Sequence, residues 1–305
     1  MGWPIRELDA VSLLIVAYLF LGGTGAGAFF VLACIDGRNS QLEKSGAEVP
    51  LVRIRRTELV KRGYVLAFAA LGLGALCLLA DLGRPEAAYL LFTRPTLSYI
   101  SVGTYSLTVL LLCVAVMAAP ELFALPRRFR ILKRFVLPVG LVAALFVMTY
   151  TGIFLQSMRA VPLWESPLLV GLFVLSALST GVALVLVSSV GLGLRGKNGA
   201  LLRRLTKVDL VLIAAELVVA AVYLATVADS HLGGQSVDRL LSGDWSLAFV
   251  GGFALCGLVA PGVMEGLSTR RPWGDSMDLA IGCMVLVGGL CLRLSLVNAG
   301  IHSSI

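Results

Sequence analysis

Apolar residues collect in eight long runs along this sequence, which are separated by shorter stretches rich in polar and charged residues. The runs lie near residues 10–34, 62–82, 98–119, 135–157, 166–191, 208–228, 246–265 and 277–298. A helix needs about 20 apolar residues to cross the roughly 30 Å hydrocarbon core of a bilayer, and each run is long enough. The pattern therefore predicts an all-α integral membrane protein, with eight transmembrane helices packed as helical bundles in one polytopic domain over residues 1–305.

Composition and charge agree with this prediction and add an orientation. Of the 305 residues, 58% are hydrophobic and only 14% are charged, which is less charge than a soluble domain carries. Most of the 25 Lys and Arg residues fall in the loops after the first, third, fifth and seventh runs. Because cytoplasmic loops are enriched in basic residues, both termini are predicted to lie outside. The net charge of +7 then faces anionic lipid and gives no support for nucleic-acid binding.

A glycine-rich stretch, LFLGGTGAGAFF, interrupts the first apolar run. Its spacing fits a dinucleotide-binding turn, but that turn requires a preceding strand and a helix N-terminus, and here one apolar helix runs through. Small residues in a membrane helix allow close helix packing, which we expect of Gly23 and Gly27. The adjacent helix face carries Tyr18, Gly22 and Gly25, and a ligand could lie there.

Cysteine and histidine positions argue against a redox centre in this protein. The six cysteines lie dispersed in the apolar runs without a C-x-x-C motif: Cys34, Cys77, Cys113, Cys256, Cys283 and Cys291. Iron–sulfur and zinc sites need clustered thiolates, and disulfides are not expected inside membrane spans. His231 and His302 fall at the outer ends of the sixth and eighth helices, a poor fit for haem ligands. The sequence predicts no haem, metal or flavin here.

Polar side chains gather at the predicted outer ends of the helices: Asp9, Asp81, Arg84, Ser98, Tyr99, Thr104, Tyr105, Tyr150, Thr151, Gln156, Asp229, His231, Arg293 and Asn298. Tyr150 and Arg293 each lie roughly 10 Å below the outer end of their helix. A buried arginine is costly, so Arg293 is either functional or the structural partner of an outer carboxylate such as Asp81. Thr151 and Gly152 beside Tyr150 predict a small polar notch.

Four segments in order resemble the NrfD/PsrC family of membrane subunits of polysulfide, nitrite and dimethyl sulfoxide-type reductase complexes: LFLGGTGAGAFF, LADLGRPEAAYLLFTRPTLSYISVGTYSL, TYTGIFLQSMRAVPLWESPLLVGLFVLSALSTG and LVGGLCLRLSLVNAG. The resemblance covers essentially the whole chain. It implies a quinol-oxidising anchor, with menaquinol as the favoured substrate, in a bacterial or archaeal cytoplasmic membrane. It also implies a quinone pocket near the outer face, a four-cluster iron–sulfur subunit and a molybdopterin-type catalytic subunit on that face.

The resemblance assigns site residues one by one. The family's pocket tyrosine falls on Tyr150, and its ligand on the first helix, often a histidine, falls on Tyr18. A tyrosine can hydrogen-bond a quinone oxygen but is a poor proton acceptor near neutral pH. Quinol oxidation also needs a base within reach, so a carboxylate or His231 would have to take the proton.

Two charged positions at the end of the second helix complete the predicted site. Asp81 and Arg84 stand where the family carries its outer charges on this helix. We therefore expect Asp81 or His231 to accept the proton, with Arg84 or Arg293 keeping Asp81 ionised. The expected quinone-binding residues are Tyr18, Tyr150, Arg84 and Arg293.

Glu216 lies alone in the apolar run LIAAELVVAA of the sixth helix. It could belong to a proton path from the inner side, or it could make a structural hydrogen bond to another helix. A single carboxylate does not make a path, so the structural alternative is favoured.

Two other classes of protein fit the outer polar residues. In a secondary transporter these residues would form a substrate vestibule, and inverted repeats and interrupted helices would be expected. No repeat is evident, and Pro138 and Pro261 are expected near helix ends. A purely structural anchor would tether an outer complex without binding quinone.

Overall fold

The computed structural model of the protein describes residues 5–45, 50–81, 99–123, 129–158, 161–192, 200–268 and 274–300. Regular structure within these ranges is entirely helical, and eight helices are long and apolar enough to cross a membrane. The predicted all-α fold with eight membrane-spanning helices is confirmed. The side of the membrane on which the termini lie stays a prediction.

The elements follow one another in simple order. The first five helices are α1 (Ile5–Ser45), α2 (Pro50–Asp81), α3 (Tyr99–Leu122), α4 (Phe129–Gln156) and, after a 3₁₀ turn at Pro162–Trp164, α5 (Pro167–Ser188). The remaining elements are α6 (Ala200–Ala228), α7 (His231–Leu241), the π-helix π1 (Leu247–Val259), α8 (Ala260–Ser268) and α9 (Asp275–Asn298). The segment π1 and helix α8 together form the seventh span, and α7 is too short to cross a bilayer.

Helices α1 and α5 form the centre of the bundle. In each, 61% of the most apolar stretch is buried, against 28% for α2, α6 and the seventh span. Helix α1 packs against α2, α4, α5 and α9, whereas α3 pairs with α4 on one side of the bundle. Because α1 begins and α9 ends at the same end of the bundle, that end is called the terminal face. The opposite end, where Arg203, Arg204 and Lys207 are exposed on α6, is called the basic face.

The crossing of α1 and α5 depends on glycine. A Cβ atom at Gly27 would overlap the backbone oxygen of Ala177, and a Cβ at Gly181 would overlap the backbone of Gly27. At the same crossing, the Thr24 hydroxyl donates to the Thr180 hydroxyl at 3.1 Å. The predicted helix packing at Gly27 is therefore confirmed, because only glycine allows the two backbones to come so close.

The other glycines of the stretch correct one expectation. A Cβ at Gly25 would lie 2.6 Å from Cγ of Leu71, and a Cβ at Gly74 would lie 3.1 Å from the backbone nitrogen of Gly22. The helix face at Gly22 and Gly25 thus packs against α2, and the expectation of a ligand at these two glycines is wrong. Only the turn that carries Tyr18 remains available.

Both prolines lie inside spans, which corrects the expectation that they stand near helix ends. Pro138 is internal to α4, and Pro261 follows π1 within the span Leu247–Leu267. Proline lacks a backbone N–H, so the helical hydrogen-bond pattern cannot continue unchanged through it. In the preceding turn Ala260 bonds the carbonyl of Leu255, five residues back, as expected of a π-helix.

A short segment caps the terminal face. The Trp164 indole donates to the Leu296 carbonyl at 2.9 Å, and the Tyr223 hydroxyl donates to the Leu163 carbonyl at 2.5 Å. Helix α7 begins after Ser230, whose hydroxyl accepts from the Gly233 amide at 3.1 Å. These bonds tie the 3₁₀ turn to α6 and α9 and cover the bundle beside the predicted site.

Candidate functional site

Two tyrosines from different helices meet inside the bundle near the terminal face. Tyr18 on α1 and Tyr150 on α4 interact through a side-chain hydrogen bond between their hydroxyls. Both side chains are almost fully enclosed, with 4% of Tyr18 and 9% of Tyr150 exposed. Two of the four residues that the sequence predicts to bind quinone therefore lie side by side.

The Tyr150 ring occupies room left by a glycine on α3. A Cβ at Gly103 would overlap the Tyr150 ring, and the Phe154 ring lies 6.0 Å away, centroid to centroid. The predicted polar notch beside Tyr150 is wrong, because Thr151 donates to the Met148 carbonyl of its own helix at 2.8 Å.

The notch is closed from the other side as well. A Cβ at Gly152 would lie 2.6 Å from Cα of Val170 on α5. Gly152 therefore allows α4 and α5 to pack closely. Of residues 150–152, Tyr150 is the one whose polar group interacts with a side chain of another helix, that of Tyr18.

Arg293 on α9 is fully buried and contacts the residue that follows Tyr18. Its Nε donates to the Leu19 carbonyl at 3.2 Å, and one terminal nitrogen donates to Ser176 at 3.1 Å and to the Gly289 carbonyl at 2.8 Å. The other terminal nitrogen has no hydrogen-bond partner among the described residues. Since Leu19 follows Tyr18 directly, Arg293 fixes the turn of α1 that carries this tyrosine.

Aromatic rings and a carboxylate complete the surroundings of the guanidinium. Its carbon lies 5.8 Å from the Phe20 ring centroid and 5.3 Å from that of Phe173, within the range of cation–π contacts. The carboxylate that interacts with Arg293 is Glu216, across Ser176. Asp81, the partner considered from the sequence, is not among its contacts. Glu216 is thus one member of an interhelical polar cluster, and its structural role stays a prediction.

Asp81 is the last residue of α2, with one carboxylate oxygen buried and without a hydrogen-bond partner among the described residues. The position of Asp81 along the bundle axis can be derived from the close approach of Gly74 on α2 to Gly22 on α1, which puts these two residues at the same level. Counting about 1.5 Å per residue from that level, Asp81 lies roughly 4–5 Å closer to the terminal face than Tyr18. Asp81 therefore lies between the level of the tyrosine pair and the terminal face.

The remaining predicted residues lie elsewhere. His231 is exposed at the start of α7, a helix that packs against the 3₁₀ turn, α6 and π1. Arg84 falls outside the described residues. The structure therefore brings Tyr18 and Tyr150 together, and Arg293 reaches them through the Leu19 carbonyl. Among the described residues, His231 packs with a different part of the bundle.

An apolar groove of about 520 Å³ runs along α3 and α4 below the tyrosine pair. Phe146, one turn from Tyr150, and Tyr105, beside Gly103, belong to its lining. Val139, Val142 and Phe146 are exposed in this groove, as expected of a surface that faces lipid. The groove is thus an apolar surface whose nearest lining residue on α4, Phe146, lies one turn from Tyr150.

The sequence did not single out two carboxylates at the other end of the bundle. Asp209 on α6 and Glu265 on α8 are fully buried, and they lie against each other. They lie at the edges of the predicted spans 208–228 and 246–265. The available signal was the spacing of Asp209 and Glu216, which puts both on one buried helix face.

The fold and the site together define a multi-pass helical membrane protein with a buried tyrosine pair near one face. Comparison with known families sharpens this class: residues 10–303 match the family described as polysulphide reductase, NrfD. The protein belongs to this family, as the resemblance in the sequence indicated.

Curated relatives extend over nearly the full length. The NrfD homolog of Haemophilus influenzae is 24% identical over 312 residues, covering 94% of this sequence and 92% of that protein. NrfD of Escherichia coli is 26% identical over 307 residues, covering 94% and 93%. The C subunit of polysulfide reductase from Wolinella succinogenes is 26% identical over 318 residues, covering 94% and 92%.

Proposed function

We propose that this protein is the membrane anchor and quinol-oxidising subunit of a reductase complex. Its family and its similarity to a protein named as part of polysulfide reductase support the role of a subunit. In this proposal the terminal face lies outside the cytoplasmic membrane of a bacterium or archaeon. This orientation places the exposed basic residues of α6 in the cytoplasm.

The hydrogen-bonded pair of Tyr18 and Tyr150 is the observation that carries the proposal. Two hydroxyls near one face, beside an apolar groove open to lipid, fit a substrate that has a polar ring and a long hydrocarbon tail. Tyr150 holds one ring oxygen of the quinol, and Tyr18 orients the Tyr150 hydroxyl. Menaquinol is the favoured substrate because of the family resemblance.

Oxidation of the quinol releases two electrons and two protons. Asp81 is proposed to accept the two protons one after the other and to release each to water at the terminal face, because it lies between the level of the tyrosines and that face. Arg84 keeps Asp81 ionised between the two transfers. His231 is the alternative acceptor. Arg293 acts as a positioning residue, since its three described bonds hold α1, α5 and α9 together around Tyr18.

The electrons must leave this subunit, because the sequence predicts no redox group in it. The proposed acceptor is a four-cluster iron–sulfur subunit docked on the terminal face, which passes electrons to a molybdopterin-type catalytic subunit. Co-purification from the native membrane, followed by metal analysis of each subunit, tests this assembly. A complex without an iron–sulfur subunit would contradict it.

Binding of a quinol analogue to the purified complex tests the substrate. A purely structural anchor would bind none, and oxidation of the analogue would then depend on another subunit.

The transporter alternative stays a hypothesis, and the π-helical interruption of the seventh span is a feature typical of it. Uptake of a solute by vesicles that contain this protein alone would favour that alternative.

A further inference from the structure

Asp209 and Glu265 form a buried carboxyl pair within the half of the bundle nearer the basic face. Each residue is 0% exposed. The Ser179 hydroxyl on α5 donates to one oxygen of Asp209 at 2.8 Å, and Glu265 on α8 lies against the Asp209 carboxyl. Three helices thus bring three polar side chains to one point in an apolar interior.

Most of the hydrogen-bonding capacity of this pair is unused. The second oxygen of Asp209 and both oxygens of Glu265 lack a hydrogen-bond partner among the described residues. Two ionised carboxylates in contact would repel each other, and each unpaired charge would carry a large desolvation cost. A single proton removes one charge and turns the remaining repulsion into an O–H···O⁻ hydrogen bond.

The neighbouring charged groups leave the pair without a basic partner among the described residues. On α6, Glu216 lies two turns toward the terminal face, about 10 Å along the helix, where it interacts with Arg293. Lys207 on α6 is exposed, and Asp278 on α9 is buried with interactions of its own. Helix α5 contributes only the Ser179 hydroxyl to the pair.

We propose that Asp209, Glu265 and Ser179 form a proton-binding site that holds one proton shared between the two carboxyls. The described residues hold no group of three or more His, Cys, Asp or Glu side chains that could bind a metal ion, so the pair is assigned to a proton rather than to a metal cation. Glu265 is three residues from the end of α8, so the site exchanges its proton with water at the basic face. This inference does not depend on quinol oxidation at the other face.

Infrared spectroscopy of the purified complex at neutral pH tests the site. The wild-type protein should show the C=O band of a protonated carboxylic acid, and Glu265→Gln should lose one carboxylic-acid equivalent of that band. The glutamine amide donates to Asp209 in place of the proton, so the packing is retained. Asp209→Asn should give the same loss. Asp229→Asn, at an exposed carboxylate, is the matched control and should leave the band unchanged.

A second measurement needs no variant in this site. A hydrophobic carbodiimide reacts with protonated carboxyls, so mass spectrometry of the labelled wild-type complex should locate the adduct on Asp209 or Glu265. Sodium ions should not protect against labelling. Protection by sodium ions would show that the site binds a metal cation, which would overturn the proposal. The absence of an adduct on both Asp209 and Glu265, or an unchanged infrared band in both variants, would also overturn it.

Discussion

The two ends of this bundle differ in how many partners surround their buried ionisable side chains. Near the terminal face, the guanidinium of Arg293 is surrounded by two carbonyls, a hydroxyl and two aromatic rings. Nearer the basic face, three of the four oxygens of Asp209 and Glu265 lack a hydrogen-bond partner among the described residues. The contacts of Arg293 hold three helices in a fixed arrangement, whereas the unpartnered oxygens of Asp209 and Glu265 can share a proton. A buried charge in a membrane helix is therefore informative only when its partners are known.

The largest effect is expected from removing the buried guanidinium of Arg293, which makes three described hydrogen bonds although one terminal nitrogen has no partner among the described residues. Arg293→Gln leaves the Leu19 carbonyl and Glu216 without their cationic partner. Breaking a buried ionic cluster in this way costs about 3–5 kcal/mol. The variant should therefore show a strongly reduced yield of assembled complex and a lower thermal unfolding temperature. Arg203→Gln, at an exposed position of α6, should match the wild type in both measurements.

The Tyr150 hydroxyl should matter for turnover more than for stability. Tyr150→Phe keeps the ring against Gly103 and Phe154 but deletes one neutral hydrogen bond, worth about 0.5–1.5 kcal/mol. Quinol-analogue affinity should fall several-fold, and turnover should fall further because the ring is less well placed. Wild-type affinity and rates in a fully assembled Tyr150→Phe complex would remove this residue from the site.

The groove should affect long-tailed substrates only. Val142→Trp fills part of the groove with a large ring at a position that is exposed and not in contact with the tyrosine pair. KM should rise severalfold for a quinol with a long isoprenoid tail, while a short-tailed analogue should be oxidised as by the wild type. Equal effects on both substrates would show that the tail does not use this groove.

The smallest effect is expected at a tyrosine far from the proposed substrate. The Tyr64 hydroxyl is buried without a hydrogen-bond partner among the described residues, and its ring packs 5.7 Å from the Phe29 ring. An unsatisfied buried polar group costs about 1–3 kcal/mol, so Tyr64→Phe should leave the unfolding temperature unchanged or raise it. Its quinol oxidation rate should equal that of the wild type, which makes it the matched control for Tyr150→Phe.

The span pattern could be predicted from the sequence, and so could the choice of Tyr18 and Tyr150 as residues of one site, although their direct interaction could not. Apolar runs determine the spans because the bilayer core admits little else, and the motif around Tyr150 carried the family's pocket position. The π-helix before Pro261 and the closing of the notch by Val170 could not be predicted. Both depend on how neighbouring helices pack, and residue spacing along one helix does not encode such contacts.

The sequence could not predict that Glu216 interacts with Arg293 or that Glu265 pairs with Asp209, for a related reason. Glu216 lies on a helix distant in sequence from that of Arg293, and Glu265 lies on a helix distant in sequence from that of Asp209. Helical periodicity shows which face of α6 is shared by Asp209 and Glu216, but it cannot show which helix covers that face.

The structure of the assembled complex with a bound quinol-site inhibitor, determined by electron cryo-microscopy, tests the central claim most directly. The account predicts the inhibitor ring within hydrogen-bonding distance of the Tyr150 hydroxyl, with its tail or apolar end directed toward the groove between α3 and α4. An inhibitor bound near the basic face, or held entirely by another subunit, would contradict the assignment of the quinol site to the Tyr18–Tyr150 pair.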